Sequence, residues 1–362
     1  MTIRLPPRWL RRIVLWPLPV IVGILYVVTV PVWFLVATLL SYRLPGKLRL
    51  VRSLGLATVY LATEFFIIAS AFGLWIASGF GWRIGTARFV TLHYGVLRIA
   101  LAMLVGAGRR LFVLEIDAAG PPLPAANDGD GDGDGDGDGD GAPLIVMSRH
   151  AGPADSILLV HEVMNSYGRR PRIVLKDLLQ LDPAFDILLN RLPNRFISTG
   201  PGGGNRAVAA IAELATGMTS ADAFVIFPEG GNFSEGRRVS SIERLHAAGH
   251  RAAAERAEEL RNVLPPRPAG VQAAFAASPD AHAVFVAHTG LDQIAGIRDL
   301  WTAIPDHKTL YVNWHVIRAH DVPEDPADLE ELLLVAWEGI DRWISDRRGH
   351  DSQVNGDNGG QT

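Results

Sequence analysis

Ser148-Arg149-His150-Ala151-Gly152-Pro153-Ala154-Asp155 follows a short apolar run, Leu144–Met147, that reads as a buried strand. Proline is favoured in the first turn of a helix, so a helix is expected to start near Pro153. His150 then stands at the carboxyl end of a strand and Asp155 in the next first turn, across a tight Gly-Pro corner. Such a corner can bring a carboxylate to one imidazole nitrogen and leave the other facing substrate. A histidine held this way is the usual base for making an alcohol hydroxyl nucleophilic near neutral pH. The same residues could also do no more than close a strand and cap a helix.

A second block lies downstream. Ala223-Phe224-Val225-Ile226-Phe227 is a buried-type strand that runs into Pro228-Glu229-Gly230-Gly231-Asn232-Phe233-Ser234. A glycine-bearing turn at a strand end is expected to expose the Glu229 carboxylate and leave backbone N–H groups free. Glu229 could then accept hydrogen bonds from a polyol or order a basic residue that holds phosphate. A plain polar turn is the other reading.

Taken together, in this order and about eighty residues apart, the two blocks resemble the glycerophospholipid acyltransferase family, which pairs H-x-x-x-x-D with a later F-P-E-G block. Val263-Leu264-Pro265-Pro266-Arg267-Pro268-Ala269-Gly270-Val271 resembles the L-x-P-R-x-x-G-F segment of its lysophosphatidic acid and lysocardiolipin acyltransferase branch. Ala283-Val284-Phe285-Val286, Val316-Ile317-Arg318 and Trp337–Asp341 are similar to later parts of that branch, so the likeness covers roughly residues 111–346. The resemblance implies a 1-acylglycerol-3-phosphate acyltransferase-like enzyme, with His150 as general base and Asp155 orienting it. It implies Phe227, Pro228, Glu229 and Gly230 as part of the acceptor site. The co-substrate would be an acyl-CoA or acyl-carrier-protein thioester, with no other cofactor. The acceptor would be a lysophospholipid or glycerol phosphate.

Two positions depart from the family pattern. Its E-G-T-R is replaced by Glu229-Gly230-Gly231-Asn232, so the phosphate-binding arginine is missing there. An arginine expected soon after Phe196-Ile197 is delayed by Ser198-Thr199-Gly200-Pro201-Gly202-Gly203-Gly204-Asn205 until Arg206. Arg206, Arg195 and Arg267 are therefore the candidates for holding an acceptor phosphate. The glycine run offers backbone donors to an anion, but lacks the Lys-Ser/Thr ending of a nucleotide-binding P-loop.

Composition narrows the chemistry. With no cysteine there is no disulfide and no thiolate nucleophile or metal ligand. No G-x-S-x-G is present, so no covalent acyl-enzyme is expected. His288, Asp292, His315 and His320 lack the tight spacing of a zinc set, and no metal is predicted. No nucleic-acid partner is predicted.

The elements that must position these residues divide the chain. Residues 1–110 hold thirteen of the 34 Lys/Arg and one of the 38 acids, Glu64, and apolar residues are concentrated there. Two long apolar segments, about 13–40 and 54–82, exceed the ~20 residues needed to cross a bilayer core. Phe89–Ala107, with His93 and Arg98, suits an interfacial or core helix. Residues 1–110 are therefore expected to form a membrane anchor. If both long segments cross, the flanking arginines put the catalytic domain in the cytoplasm. The prolines at 17, 19 and 31 also permit a re-entrant hairpin that never crosses.

Residues 111–346 alternate strand-like and helix-like stretches, which predicts an α/β domain with a mainly parallel sheet flanked by helices. Expected strands lie at Leu111–Ile116, Arg172–Leu175, Val284–Ala287 and Leu310–Val316, with helices at Ala154–Met164, Ala207–Thr216, Arg244–Leu260 and Asp328–Asp346. The Asp-Gly repeat at 128–141 lacks the varied spacing of a calcium loop and reads as a disordered insertion, as does the tail at 347–362. A second reading of the whole chain is a catalytically degenerate membrane protein that keeps the fold to bind lipid or recruit a partner.

Overall fold

The computed structural model describes residues 5–15, 17–43, 48–121, 141–197, 203–292, 301 and 308–358. The Asp-Gly repeat up to Asp140 and the glycine detour 198–202 fall outside them. The chain forms two compact units that interleave in sequence: Met1–Glu115 with Ile157–Ala210 and Gly296–Lys308, and Ile116–Ser156 with Ile211–Ala295 and Thr309–Thr362.

The second unit holds the strands β1 (Leu114–Ala119, mostly within it), β2 (Leu144–Ser148), β5 (Asp222–Ile226), β6 (His282–Thr289) and β7 (Lys308–Ile317). Their order is β1-β7-β6-β2-β5. β2 is parallel to both β5 and β6, with Leu144 opposite Ala223 and His282, while β7 runs antiparallel to β6. Every residue of β2, β5 and β6 is buried. Strands covered on both faces need no polar alternation, which is why they read as short continuous apolar runs. Because the three run the same way, their carboxyl ends Ser148, Ile226 and Thr289 share one edge.

Helices α8 (Glu235–Ala247), α9 (Arg251–Glu259), α10 (Pro268–Ala277) and α11 (Pro326–Asn358) complete this unit. The single charged helix expected over Arg244–Leu260 is two helices, broken at Ala248-Gly249-His250, where Gly249 takes a φ of 79°. α11 buries Leu333 and Trp337 completely. Its Asp341 Oδ1 accepts the backbone N–H of Arg261 at 2.9 Å, and Asn262 donates its side-chain N–H to the Asp341 carbonyl at 3.1 Å. The segment leading to Arg267 is thereby fixed. α11 continues to Asn358, into the stretch expected to lack structure, since extending a formed helix adds a bond for each residue ordered.

The first unit contains α1 (Arg8–Leu15), α2 (Pro17–Ser41), α3 (Arg49–Ala77) and α4 (Ala87–Phe112). It also contains β3 (Arg170–Lys176), α6 (Pro183–Leu189) and β4 (Arg195–Ile197), with β3 and β4 parallel. α2, α3 and α4 are each long and apolar enough to cross a membrane. The strand expected at Leu111–Ile116 begins only at Leu114, after α4 ends in a left-handed Val113. α5 (Pro153–His161) and α7 (Gly203–Ala215) have residues in both units. The N-terminal segment of the first unit ends at Glu115, near the boundary expected at residue 110, and Ile157–Ala210 and Gly296–Lys308 belong to the same unit. Thr63, Glu64, Ile67 and Ala71 form one buried face of α3, and their spacing of one and two turns matches a helix packed on protein. The expected class, α/β with mostly parallel strands and flanking helices after apolar N-terminal helices, is the one observed.

Candidate active site

β2 ends at Ser148, and the chain turns through Arg149, His150, Ala151 and Gly152 into α5, with Pro153 as its first residue. His150 lies half-buried at this corner. Its ring stacks on Phe227, with centroids 4.6 Å apart and planes 29° from parallel. Nδ1 is 3.4 Å from Ser156 Oγ, one turn into α5. The His150 carbonyl accepts the Phe233 N–H at 2.7 Å. The two sequence blocks are therefore joined by a ring stack and a backbone hydrogen bond.

Asp155 is in the first turn of α5, as expected, but it is buried, and among the described residues no hydrogen bond of full geometry reaches either of its oxygens. The hydrogen bond anticipated from Asp155 to His150 is not formed in this structure. Its carboxylate lies instead 4.0 Å from Nδ1 of His288, a residue of β6. Burial raises the Asp155 pKa, while His288 and Arg149 oppose the rise. Burial also holds the His288 ring below its ordinary pKa, against the pull of Asp155.

Beneath this corner is a charged cluster. Arg149, with no exposed surface, donates from Nη1 to the His288 carbonyl at 2.9 Å and pairs with Asp292 at 2.6 Å. Asp292 also accepts from Thr289 Oγ1 at 2.6 Å and the Gly290 N–H at 3.1 Å, and Arg348 of α11 lies 3.2 Å away. Burial alone would raise the Asp292 pKa; Arg149 and these donors hold it at about 2.

The turn after β5 differs from expectation at Glu229, which is only 2% exposed. Gly230 adopts a left-handed φ of 70°, and its N–H closes the turn on the Phe227 carbonyl at 3.1 Å. That tight turn directs the Glu229 carboxylate inward instead of toward a polyol. It faces the N–H groups of Leu264 and His150 and the Trp337 indole, none in full hydrogen-bond geometry. Burial raises its pKa to about 8, with Arg149 and these donors opposing. Glu229 thus faces the backbone that carries His150.

The surface of the turn is basic. Arg267 donates its backbone N–H to the Pro228 carbonyl at 3.0 Å, and a methyl group added at Gly230 would meet its guanidinium at 3.0 Å. Glycine is needed there both for its φ and for this close approach. Burial and the neighbouring Arg244 both lower the Arg267 pKa. Arg237, in the first turn of α8, donates to the Asn232 carbonyl at 2.8 Å and lies against Gly231. Arg237 and Arg244 are not identifiable from the motifs; their only sequence signal is their place in the charged stretch after Ser234. Arg206 is exposed in the first unit, on α7, and Arg195 opens β4 there.

An imidazole at a strand end, a glycine turn stacked against it and an arginine over that turn can deprotonate a hydroxyl and hold an adjacent anion. Residues 136–284 match the model of the protein family described as Acyltransferase. No curated protein matches the chain.

Proposed function

For a chain whose residues 136–284 carry an acyltransferase-family domain, we propose transfer of a fatty acyl group from a thioester to a hydroxyl of a lysophospholipid or glycerol phosphate. The family match supports acyl transfer in general. The observation that carries the finer reading is His150 stacked on Phe227 at the edge where Arg267 covers the Gly230 turn.

In this mechanism the imidazole nitrogen not directed at Ser156 takes the hydroxyl proton. The oxygen attacks the thioester carbonyl carbon, and the C–S bond breaks as the tetrahedral intermediate collapses. The thiol leaves with the proton returned by His150. Arg267, with Arg244 beside it, holds the acceptor phosphate, and a guanidinium fork suits a phosphate bidentately. Asp155 acts through the buried electrostatics of His288 and Arg149 in place of a direct hydrogen bond. The donor is acyl-CoA or an acylated carrier protein, and the site faces the cytoplasm.

Purified protein assayed with acyl-CoA and a panel of lysophospholipids and glycerol phosphate tests this reading. His150→Ala should lower turnover about 10²–10⁴-fold while leaving membrane attachment unchanged. Near-native turnover in that variant would sink the mechanism. Lipid binding without turnover in the native chain would favour the degenerate alternative.

A further inference from the structure

Length and composition allow α2, α3 and α4 to cross a bilayer, yet α3 and α4 also meet polar groups of the first unit outside these helices. Tyr60 on α3 donates to Asp182 at 2.6 Å, and nearer the helix end the Ala71 carbonyl accepts from Arg191 at 2.7 Å. These contacts span eleven residues, about 16 Å of a helix, which is half of the ~30 Å hydrocarbon core. Arg191 also reaches His93 on α4 at 3.1 Å, and Tyr94 donates to the Pro171 carbonyl at 3.0 Å. If α3 and α4 crossed, Asp182, Arg191 and their surroundings would lie at hydrocarbon depth. Arg98, exposed at the middle of α4, would sit near the bilayer centre, where a lipid-facing charge is costly.

Both flanks of α2 are held by the same unit. Before it, Arg11 pairs with Asp186 at 2.7 Å and donates to Gln180 at 2.9 Å, and Arg12 meets the other Asp186 oxygen at 3.2 Å. After it, Arg52 donates to the Leu111 carbonyl at 2.8 Å, where α4 ends. The start of α2 is thus tied to α6, whose N-cap Asp182 meets the middle of α3.

We propose that the three helices form a monotopic anchor seated in one leaflet of an anionic phospholipid membrane, and that none of them crosses it. The seated surface is the exposed apolar side of α2, continued by Phe72, Phe80 and Trp82 around the α3–α4 turn and by Leu178 and Leu181 next to Asp182. Aromatic rings at this turn suit the headgroup boundary. Arg83, which lies over the Trp82 ring at 5.0 Å, and Arg88 provide the positive charge that an anionic leaflet attracts, and no acid stands between residues 65 and 114.

The absence of cysteine makes single-cysteine labelling direct. Tyr42→Cys in the turn after α2, Arg83→Cys in the α3–α4 turn and Lys176→Cys at the end of β3 would each be placed in sealed phosphatidylglycerol vesicles and treated with a membrane-impermeant maleimide. Tyr42→Cys and Arg83→Cys should label from the side that labels Lys176→Cys, or from neither side. Labelling of either one only after the vesicles are opened would overturn the proposal. In a second measurement, an environment-sensitive dye on Trp82→Cys should shift to the blue on these vesicles and be quenched by acyl-chain quenchers. A dye that remained in water there would also overturn it, as would release of the native chain by carbonate.

Discussion

The strand-end cluster and the N-terminal helices handle burial in opposite ways. Around β2 and β6, the ionisable residues Arg149, His288, Asp155 and Glu229 are buried, among strands whose every residue is buried. In α2, a run of 25 residues with no charge, only Ala37 is buried. A buried ion must be answered by partners, and Arg149 has Asp292 and the His288 carbonyl. An exposed apolar helix must be answered by a solvent other than water. Position relative to the unit's interior, more than residue type, decides which debt each region carries.

The sharpest way to break that contrast is to unbalance the cluster. Arg149→Leu leaves the Asp292 carboxylate without its buried counter-charge and should cost about 3–5 kcal/mol of stability, read as a lower urea midpoint. Adding Asp292→Leu should restore much of the loss. A single variant as stable as the native chain would mean that the pair is not what holds this region.

A smaller effect is expected at the rim. Arg267→Ala should raise the acceptor KM about 10–100-fold, the usual range for losing a hydrogen bond to a charged group, and leave the acyl-donor KM nearly unchanged. Equal effects on both substrates would move the anion site elsewhere, with Arg206 and Arg195 the next to test.

Glu229 sharpens the comparison through pH. Its folded pKa is raised to about 8 from an ordinary 4.5, so the fold prefers the protonated form. The associated stability is complete below the ordinary carboxylate pKa and is lost as pH rises through about 8. Glu229→Gln cannot ionise, so the melting temperature of the native chain should fall relative to the variant across that window. Parallel curves would show that the carboxylate is not under pressure from burial. The smallest effect is expected outside both regions: replacing Asp128–Gly141 with a short Gly-Ser linker should leave activity unchanged, because loop closure depends weakly on length. Loss of activity, or calcium dependence confined to the intact chain, would revive a calcium loop.

Much of the fold was legible locally. Continuous apolar runs marked β2, β5 and β6, since strands covered on both faces show it in composition, and Pro153 marked the start of α5. His150 and Phe227 could be singled out because both stand where a strand stops. Partners distant in the chain were not legible. Nothing near Asp155 indicates that it faces His288, and nothing near Gly230 indicates that Arg267 lies over it. The sequence by itself determined the strand ends, the uncharged helices and the block order, because these depend on neighbours within a turn or two. Only the tertiary structure decided that Glu229 points inward and that α3 packs on Asp182 and Arg191. A left-handed turn and a contact across more than a hundred residues are set by the fold around them.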